Sequence, residues 1–262
     1  MPAHRPLEHD PAREEAELRS YLGDAFDRGR LERYQDQLDA EVEACGDEDR
    51  LYRTSQAYLY NLTAFAMTGT KLPYLRELTR SVAPGSRLLD YGCGIGSDGL
   101  LLLEAGYRVE FVDFDNPSVA YLRWRLRRRG LEAPIHDLDG EVPDGFDAAF
   151  AFDVIEHVPD PFAFLGEMER RARLVEVNLL EPEPDDQELH HELPIPELLR
   201  YAARRGLVRY RVVHGRSHLL LYRPQPAGVA VRALNHGRLG AQVLHRAGGR
   251  LVRSARARTR AP

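Results

Sequence analysis

The run Leu88-Leu89-Asp90-Tyr91-Gly92-Cys93-Gly94-Ile95-Gly96 constrains this chain more than any other stretch. Two aliphatic residues lead into an aspartate, and three glycines follow at every second position. A helix-compatible run, Leu100-Leu101-Leu102-Leu103-Glu104-Ala105, comes next. That order describes a buried strand, a tight turn and a helix N-terminus. Backbone can press against a nucleotide-like ligand there, because the first helical N–H groups lack intrahelical partners and glycine has no Cβ.

Strand and helix signals alternate on either side of the turn. Pro84-Gly85 breaks a helix over Leu72–Val82 just before the first strand, Arg87–Tyr91. The pattern then predicts helix Ser97–Ala105, strand Arg108–Asp113, helix Pro117–Arg129, a short strand Ala133–Asp137, strand Phe146–Phe152, helix Pro161–Arg171, strand Arg173–Asn178 and helix Ile195–Arg205. Helices of about a dozen residues between strands require parallel crossovers, with helices on both faces of the sheet. The last two runs, Val208–Val213 and His218–Tyr222, are separated only by His214-Gly215-Arg216-Ser217, so they form an antiparallel hairpin. The expected fold is α/β, doubly wound: a mostly parallel seven-stranded sheet ending in an antiparallel hairpin. Helices precede it, one from about Glu14 to Ala44 and another from Leu51 to about Met67, on apolar residues at helical spacing. Three segments are expected: a helical or lid segment 1–83, a ligand-binding domain 84–225 and a basic tail 226–262.

Composition narrows the setting. No apolar run nears the roughly 20 residues of a membrane span, and the polar N-terminus has no apolar signal core, so cytoplasmic residence is expected. Cys45 and Cys93 stand far apart, which argues against a disulfide framework or a cysteine-built zinc site. Cys93 reads as a small turn filler. Of 36 basic residues, 35 are arginine and Lys71 is the single lysine. The net charge of -5 divides into +8 from Pro226 onward and -13 before it. Such a tail can meet nucleic acid or an anionic membrane, or can remain a solvated extension. Arg127-Arg128-Arg129 and Trp124 read as the outer face of their helix.

The ligand of the glycine turn follows from its neighbours. A dinucleotide fingerprint needs glycine in sixth place, and counting from Gly92 that place is Ser97. A frame from Gly94 reaches Gly99 but ends the strand later. The acid before the glycines would oppose a pyrophosphate and welcome an amino group. DYGCGIG resembles the first motif of class I S-adenosylmethionine-dependent methyltransferases. RVEFVDFD is similar to that family's second strand, and FDAAFAFDVIEHVPDP to its fourth-strand motif. With the terminal hairpin, the resemblance covers roughly 84–222. It implies a Rossmann-like fold, S-adenosylmethionine as cofactor and methyl transfer by direct displacement.

Position by position, the resemblance puts Asp90 near the methionine amino group and Gly92, Gly94 and Gly96 against the cofactor. Asp113 accepts the ribose hydroxyls, Phe114 flanks the adenine and Asp137 (or Asp139) accepts from the adenine amine. Asp153 lies near the methyl donor, or else caps the following turn. His157 lines the same cleft, or else packs. Asp115 and Asn116 cap the helix that begins at Pro117. No bound metal is expected.

The acceptor side is less determined. A loop past the fifth strand carries Glu188-Leu189-His190-His191-Glu192, and His190 and His191 are base candidates, against the plain reading of a solvated loop. Tyr58, Tyr60 and Asn61 either form a lid or pack a helix on the sheet. The fourth strand is followed by Asp153-Val154-Ile155-Glu156, not by an Asn/Asp-Pro-Pro-aromatic tetrapeptide, and no Pro-Cys pair is present. A small-molecule acceptor is therefore expected, methylated on oxygen in preference to nitrogen. The alternatives are an RNA- or membrane-associated methyltransferase that uses the tail, and a protein that binds the cofactor without turnover.

Overall fold

A computed structural model describes residues 5–35, 38, 41, 46, 48–181, 191–237 and 239. Seven strands form one sheet: β1 (Arg87–Tyr91), β2 (Arg108–Asp113), β3 (Ile135–Asp137), β4 (Ala148–Ala151), β5 (Val175–Leu180), β6 (Arg205–Val213) and β7 (Ser217–Pro226). Their spatial order is β3-β2-β1-β4-β5-β7-β6. The first five are mutually parallel, and β7 runs antiparallel to both β5 and β6. At the hairpin tip His214 and Gly215 have φ of 52° and 80°, as a tight turn between right-twisted strands requires.

The helices are α1 (Pro11–Leu22), α2 (Arg28–Glu32), α3 (Glu48–Thr54), α4 (Ala57–Thr68), α5 (Leu72–Ser81), α6 (Ser97–Glu104), α7 (Pro117–Arg129), α8 (Pro161–Arg171) and α9 (Ile195–Ala203). Alternation along the strands sorts them into two layers. Ala149, Ala151, Val175 and Val177 face α8 and α9 through Leu165, Met168 and Leu198. Phe150, Phe152, Leu219 and Leu221 face the other layer, with Leu75 and Leu78 of α5, Leu100 and Leu102 of α6, and Leu122 of α7. At eight residues α6 is too short to persist alone. Leu100 and Leu102 are fully buried, at about 1.5–3 kcal/mol each, and hold it on the sheet.

The N-terminal helices are more broken than their periodicity predicts. The expected Glu14–Ala44 helix stops at Leu22, where Gly23 takes φ 55°. A single 3-10 turn follows, and α2 begins only after Asp27 caps it through Gly29 N. The expected Leu51–Met67 helix divides at Ser55-Gln56. Ser55 Oγ accepts from Tyr58 N and donates to Glu41, so its hydroxyl competes with the backbone and starts α4 afresh.

The outer face expected for α7 is also corrected. Arg125 is fully buried and the Arg129 side chain is 6% exposed. Both pair with Glu14 and Glu17 of α1 at 2.6–3.5 Å. Trp124 stacks on Tyr121 at 5.9 Å and meets Tyr21 at 5.6 Å. Two elements that each look solvated thus bury their charges against one another. Beyond β7, residues 229–237 are helical, and buried Asn235 donates to the carbonyls of Ala203 and Arg205. Beyond residue 237 the arginine-rich tail lies outside the described residues, Leu239 excepted.

Candidate functional site

The sheet reverses its order at β1, with β2 and β3 to one side and β4 to the other. The carboxyl ends of β1 and β4 splay into a crevice there, where open α/β sheets bind ligands. A cleft in this place is walled by Asp90, Gly92 and Gly94 after β1, Asp98 on α6, Asp153 after β4 and Lys71 before α5.

The turn is built as its glycines suggest, with one difference in purpose. Gly92, Gly94 and Gly96 have φ of 76°, 52° and 72°, values that side chains rarely adopt. Gly94 N donates to Asp113 Oδ2 at 2.7 Å and Phe114 N to Oδ1 at 2.8 Å, so the end of β2 and the turn are tied together. A Cβ on Gly94 would come within 2.9 Å of Leu62 on α4, which lies over the turn. A Cβ on Gly96 would meet Leu122 of α7 at 2.4 Å. Gly96 is therefore needed for helix packing. Gly99 matters too: its N–H reaches Asp90 Oδ2 at 3.1 Å, and a Cβ there would strike Phe111 at 2.3 Å.

Asp153 takes φ 55°, uncommon for any residue but glycine and worth about 1–2 kcal/mol of strain. Asn178 of β5 holds it there. Its Oδ1 accepts from Asp153 N at 2.8 Å, and its Nδ2 donates to Asp153 Oδ1 at 2.7 Å. The same Nδ2 reaches Ser217 Oγ at 3.2 Å, which also accepts from Tyr74 of α5 at 2.8 Å. Asp153 is thus clamped as a cleft carboxylate and does not cap the turn Ile155–His157, whose N-cap position is Val154 with no side-chain cap bond. Asp160 caps α8, with its side chain accepting from Phe162 N and Ala163 N.

The cleft carries more negative charge than it can neutralise. Lys71 Nζ donates to Phe152 O at 2.8 Å and lies 3.4 Å from Asp153 and 3.7 Å from Asp98. Burial disfavours its ammonium, yet Asp153, Asp98, Asp90 and Glu156 outweigh that and raise its pKa. The acids respond in kind. Burial and Asp98 push Asp90 well up, and burial also raises Asp98 against the pull of Lys71. Burial lifts Asp113 to about 6 despite two backbone N–H donors. Glu156 is buried, and burial with nearby Asp153 lifts it to about 8. An excess of buried carboxylates favours a cationic ligand.

The remaining expected residues sit around this centre. Phe114 lies beside the turn at the end of β2, with the Arg53 guanidinium 4.1 Å over its ring. Asp137 is exposed at the end of β3 and accepts from Asp139 N, while Arg53 pairs with Asp139 at 2.6 Å. His157 Nδ1 bonds Tyr52 OH at 2.9 Å, and Asn116 Nδ2 donates to Tyr52 O. His191 is exposed, and its N–H donates to Glu156 O at 2.8 Å, which brings it to the turn that carries His157. His190 lies outside the described residues, as do Glu188 and Leu189. Tyr60 packs: its ring is buried and its hydroxyl joins Asp27 N and Ala25 O. Among the described residues no group of three or more His, Cys, Asp or Glu is placed to hold a metal, and no helix is long and apolar enough to cross a membrane.

Sequence reasoning passed over Lys71, Asp98, Asn178 and Tyr52. Lys71 did carry a signal, as the single lysine in a chain that otherwise uses arginine.

Sheet order, switch-point cleft and glycine turn define a Rossmann-like α/β protein of the nucleotide-binding kind. Comparison with known proteins makes this specific. Residues 89–173 match the model of a methyltransferase domain. The ubiquinone biosynthesis O-methyltransferase of Xanthomonas campestris is 30% identical over 105 residues, 38% of this chain and 43% of that protein. Its counterpart in Bordetella pertussis is 30% identical over 101 residues, 37% of this chain and 42% of that protein. The chain therefore spans about two-fifths of the length of these curated relatives. Among solved structures, magnesium protoporphyrin IX methyltransferase of Synechocystis PCC 6803, with bound SAH, superposes with a TM-score of 0.50 at 15% identity, covering 72% of this chain and 99% of that one. The [4+2]-cyclase SpnF gives 0.51 at 21% identity, over 62% and 82%. These matches support a class I S-adenosylmethionine-dependent methyltransferase domain over the part of the chain they cover, residues 89–173. The cyclase is a reminder that this fold does not by itself fix the reaction.

Proposed function

We propose that the chain is an S-adenosylmethionine-dependent methyltransferase that moves a methyl group to a small-molecule acceptor, on oxygen in preference to nitrogen. The observation that carries the reading is the set of acids at the carboxyl ends of adjacent strands, Asp90 buried and the others half-buried: Asp90 and Asp98 about β1, Asp113 at the end of β2 and Asp153 after β4. The preference for oxygen rests on the names of the curated relatives.

The residues fit the cofactor. Each Asp113 oxygen holds one backbone N–H and keeps lone-pair capacity for a ribose hydroxyl. Gly92 and Gly94 offer backbone without Cβ, and Phe114 gives the adenine an apolar flank. Asp90 and the Phe152 carbonyl suit an ammonium. When bound, the cofactor supplies a methyl group activated by an adjoining sulfonium charge. Asp90, Asp98 and Asp153 stabilise positive charge in the cleft, and desolvation by Leu62 and α4 strengthens that attraction. An acceptor hydroxyl must lose its proton on transfer. His157, oriented through Nδ1 by Tyr52, and His191 beside it on the Glu156 carbonyl are proposed for that step.

The test has two stages. Calorimetry should show one molar equivalent of S-adenosylmethionine or S-adenosylhomocysteine bound. Incubation with methyl-labelled cofactor and a fractionated metabolite extract should then label a small molecule. Binding without any labelled product would leave a cofactor-binding protein of another purpose. Absence of binding would remove the proposal.

A further inference from the structure

A second concavity lies between α5 and β6 and shares no lining residue with the cofactor cleft. One face of α5 presents Pro73, Arg76, Glu77 and Arg80, at the i, i+3, i+4 and i+7 positions. The edge strand β6 brings Arg209 and Arg211, whose register partners Leu221 and Leu219 pack in the same layer as α5. The hairpin tip closes one end, where His214 Nε2 bonds Thr70 O at 2.8 Å. Between helix and strand runs a groove of about 410 Å³, lined on its apolar part by Pro73, Val212 and Val213.

The groove inverts the electrostatics of the cleft. Among its described lining residues Glu77 is the single acid, and it is 2% exposed. Arg80 Nη1 donates to it at 2.9 Å, Arg209 Nε lies 3.3 Å away, and Arg211 Nη1 donates to it as well. Arg76 is exposed and has no ion pair among the described residues. Behind Glu77, Glu176 of β5 is fully buried. Burial, with Glu77 nearby, drives its pKa well up and favours its neutral form, so it offsets little of the positive charge. Four guanidiniums thus face one carboxylate, an excess of three positive charges in a chain whose net charge is -5.

One arginine would suffice to neutralise Glu77. Its carboxylate instead engages one nitrogen on each of three guanidiniums, and each guanidinium has five N–H donors. Glu77 therefore orients three planar forks and leaves most of their donors open, as bidentate recognition of phosphate requires. The length of the patch narrows the ligand. Arg76 and Arg80 are one helical turn apart, roughly 6 Å, and Arg209 and Arg211 are about 7 Å apart along their strand. That span suits two or three linked phosphates. It is shorter than the track of several nucleotides that a single-strand groove follows.

We propose that the α5–β6 groove is a second ligand site, for a small molecule that carries two or three linked phosphates and rests its less polar part on Pro73, Val212 and Val213. The test is calorimetry on the full chain with inorganic tripolyphosphate as the probe. One equivalent should bind, at least about 10-fold more tightly than orthophosphate. Arg76→Ala breaks no ion pair of the fold and should weaken binding about 10-fold; with Arg80→Gln added, the loss should reach about 100-fold. Melting temperatures report whether both variants are folded. Arg127→Ala, at an exposed position of α7, should leave the affinity within about threefold, and so should saturating S-adenosylhomocysteine. Absence of binding, or an equal loss at Arg127 and Arg76, would overturn the proposal. Full affinity in the double variant would overturn it too, by placing the polyanion on the arginine-rich tail. So would displacement by S-adenosylhomocysteine, which would place the probe in the cofactor cleft. A single-stranded RNA oligomer that binds more tightly than tripolyphosphate and is weakened by Arg76→Ala would overturn the small-molecule assignment in favour of nucleic acid.

Discussion

Two ionic clusters adjoin the glycine turn, one buried and one half-buried, and they obey the same electrostatics with opposite outcomes. In the first, Arg125 and Arg129 of α7 meet Glu14 and Glu17 of α1, with Glu104 and Arg13 at the margin. Burial alone would raise Glu17, but Arg129 and Arg125 overcome it and hold its pKa below the ordinary value. In the second, Lys71 faces Asp90, Asp98, Asp153 and Glu156, and Asp90, Asp98 and Glu156 are all shifted upward. The first cluster is satisfied from within. The second is short of positive charge, and that shortage distinguishes a binding site from a structural joint. Ser97, which opens α6 beside the turn, extends the first cluster: its hydroxyl donates to Glu14 at 3.0 Å and accepts from Arg125 at 2.8 Å.

Breaking each cluster should therefore have different consequences. Arg125→Met would leave Glu14 and Glu17 buried with less compensation, and we expect a loss of roughly 3–5 kcal/mol in denaturant unfolding. A loss below about 1 kcal/mol would mean that α1 is not held by this network. Glu156→Gln acts on the other cluster and should stabilise. The folded protein binds a proton at Glu156 that the unfolded chain releases, since its pKa rises from 4.5 to about 8. Stability from this group is full below the lower value and falls with rising pH, by up to about 1.4 kcal/mol per pH unit. The Gln variant should match the unaltered protein near pH 4 and exceed it above pH 8, and parallel pH profiles would contradict the reading. Asp113→Ala should cost about 1.5–3 kcal/mol of cofactor affinity, the range for hydrogen bonds to a charged group. In the unaltered protein the same affinity should decline as pH drops below about 6, where Asp113 takes up its proton. Ser97→Ala should have the smallest effect, near 1 kcal/mol in stability, because Arg125 keeps its Glu14 and Glu17 contacts. A larger loss would show that the first cluster depends on this hydroxyl.

Much of the fold was legible because strands buried on both faces and glycine-closed helices leave local marks. β1 and β2 begin and end where the apolar runs do, and α7 runs from the Asn116 cap to Gly130 as Pro117 and Gly130 predict. The acids at strand ends were legible for the same reason, since Asp90, Asp113 and Asp153 each stop an apolar run. The N-terminal breaks were less legible, because Ser55 and Asp27 act through hydroxyl and carboxylate contacts that periodicity does not register. Arg125 and Arg129 look like solvated charge until α1, about 110 residues earlier in the chain, brings its glutamates to them. Asn178 and Lys71 matter through neighbours remote in sequence: Asn178 clamps Asp153, and Lys71 meets Phe152. Composition can flag such residues as unusual, but only the assembled crevice shows what they touch.

The central claim is that the acid-rich crevice at the β1–β4 switch point holds a cationic adenosyl cofactor. Calorimetric titration of the unaltered protein and Asp113→Ala with S-adenosylmethionine, at a pH well above 6, tests it most directly. The account predicts one-to-one binding to the unaltered protein and a loss of about 10- to 100-fold in the variant. No binding of S-adenosylmethionine, or equal binding to both proteins, would contradict it.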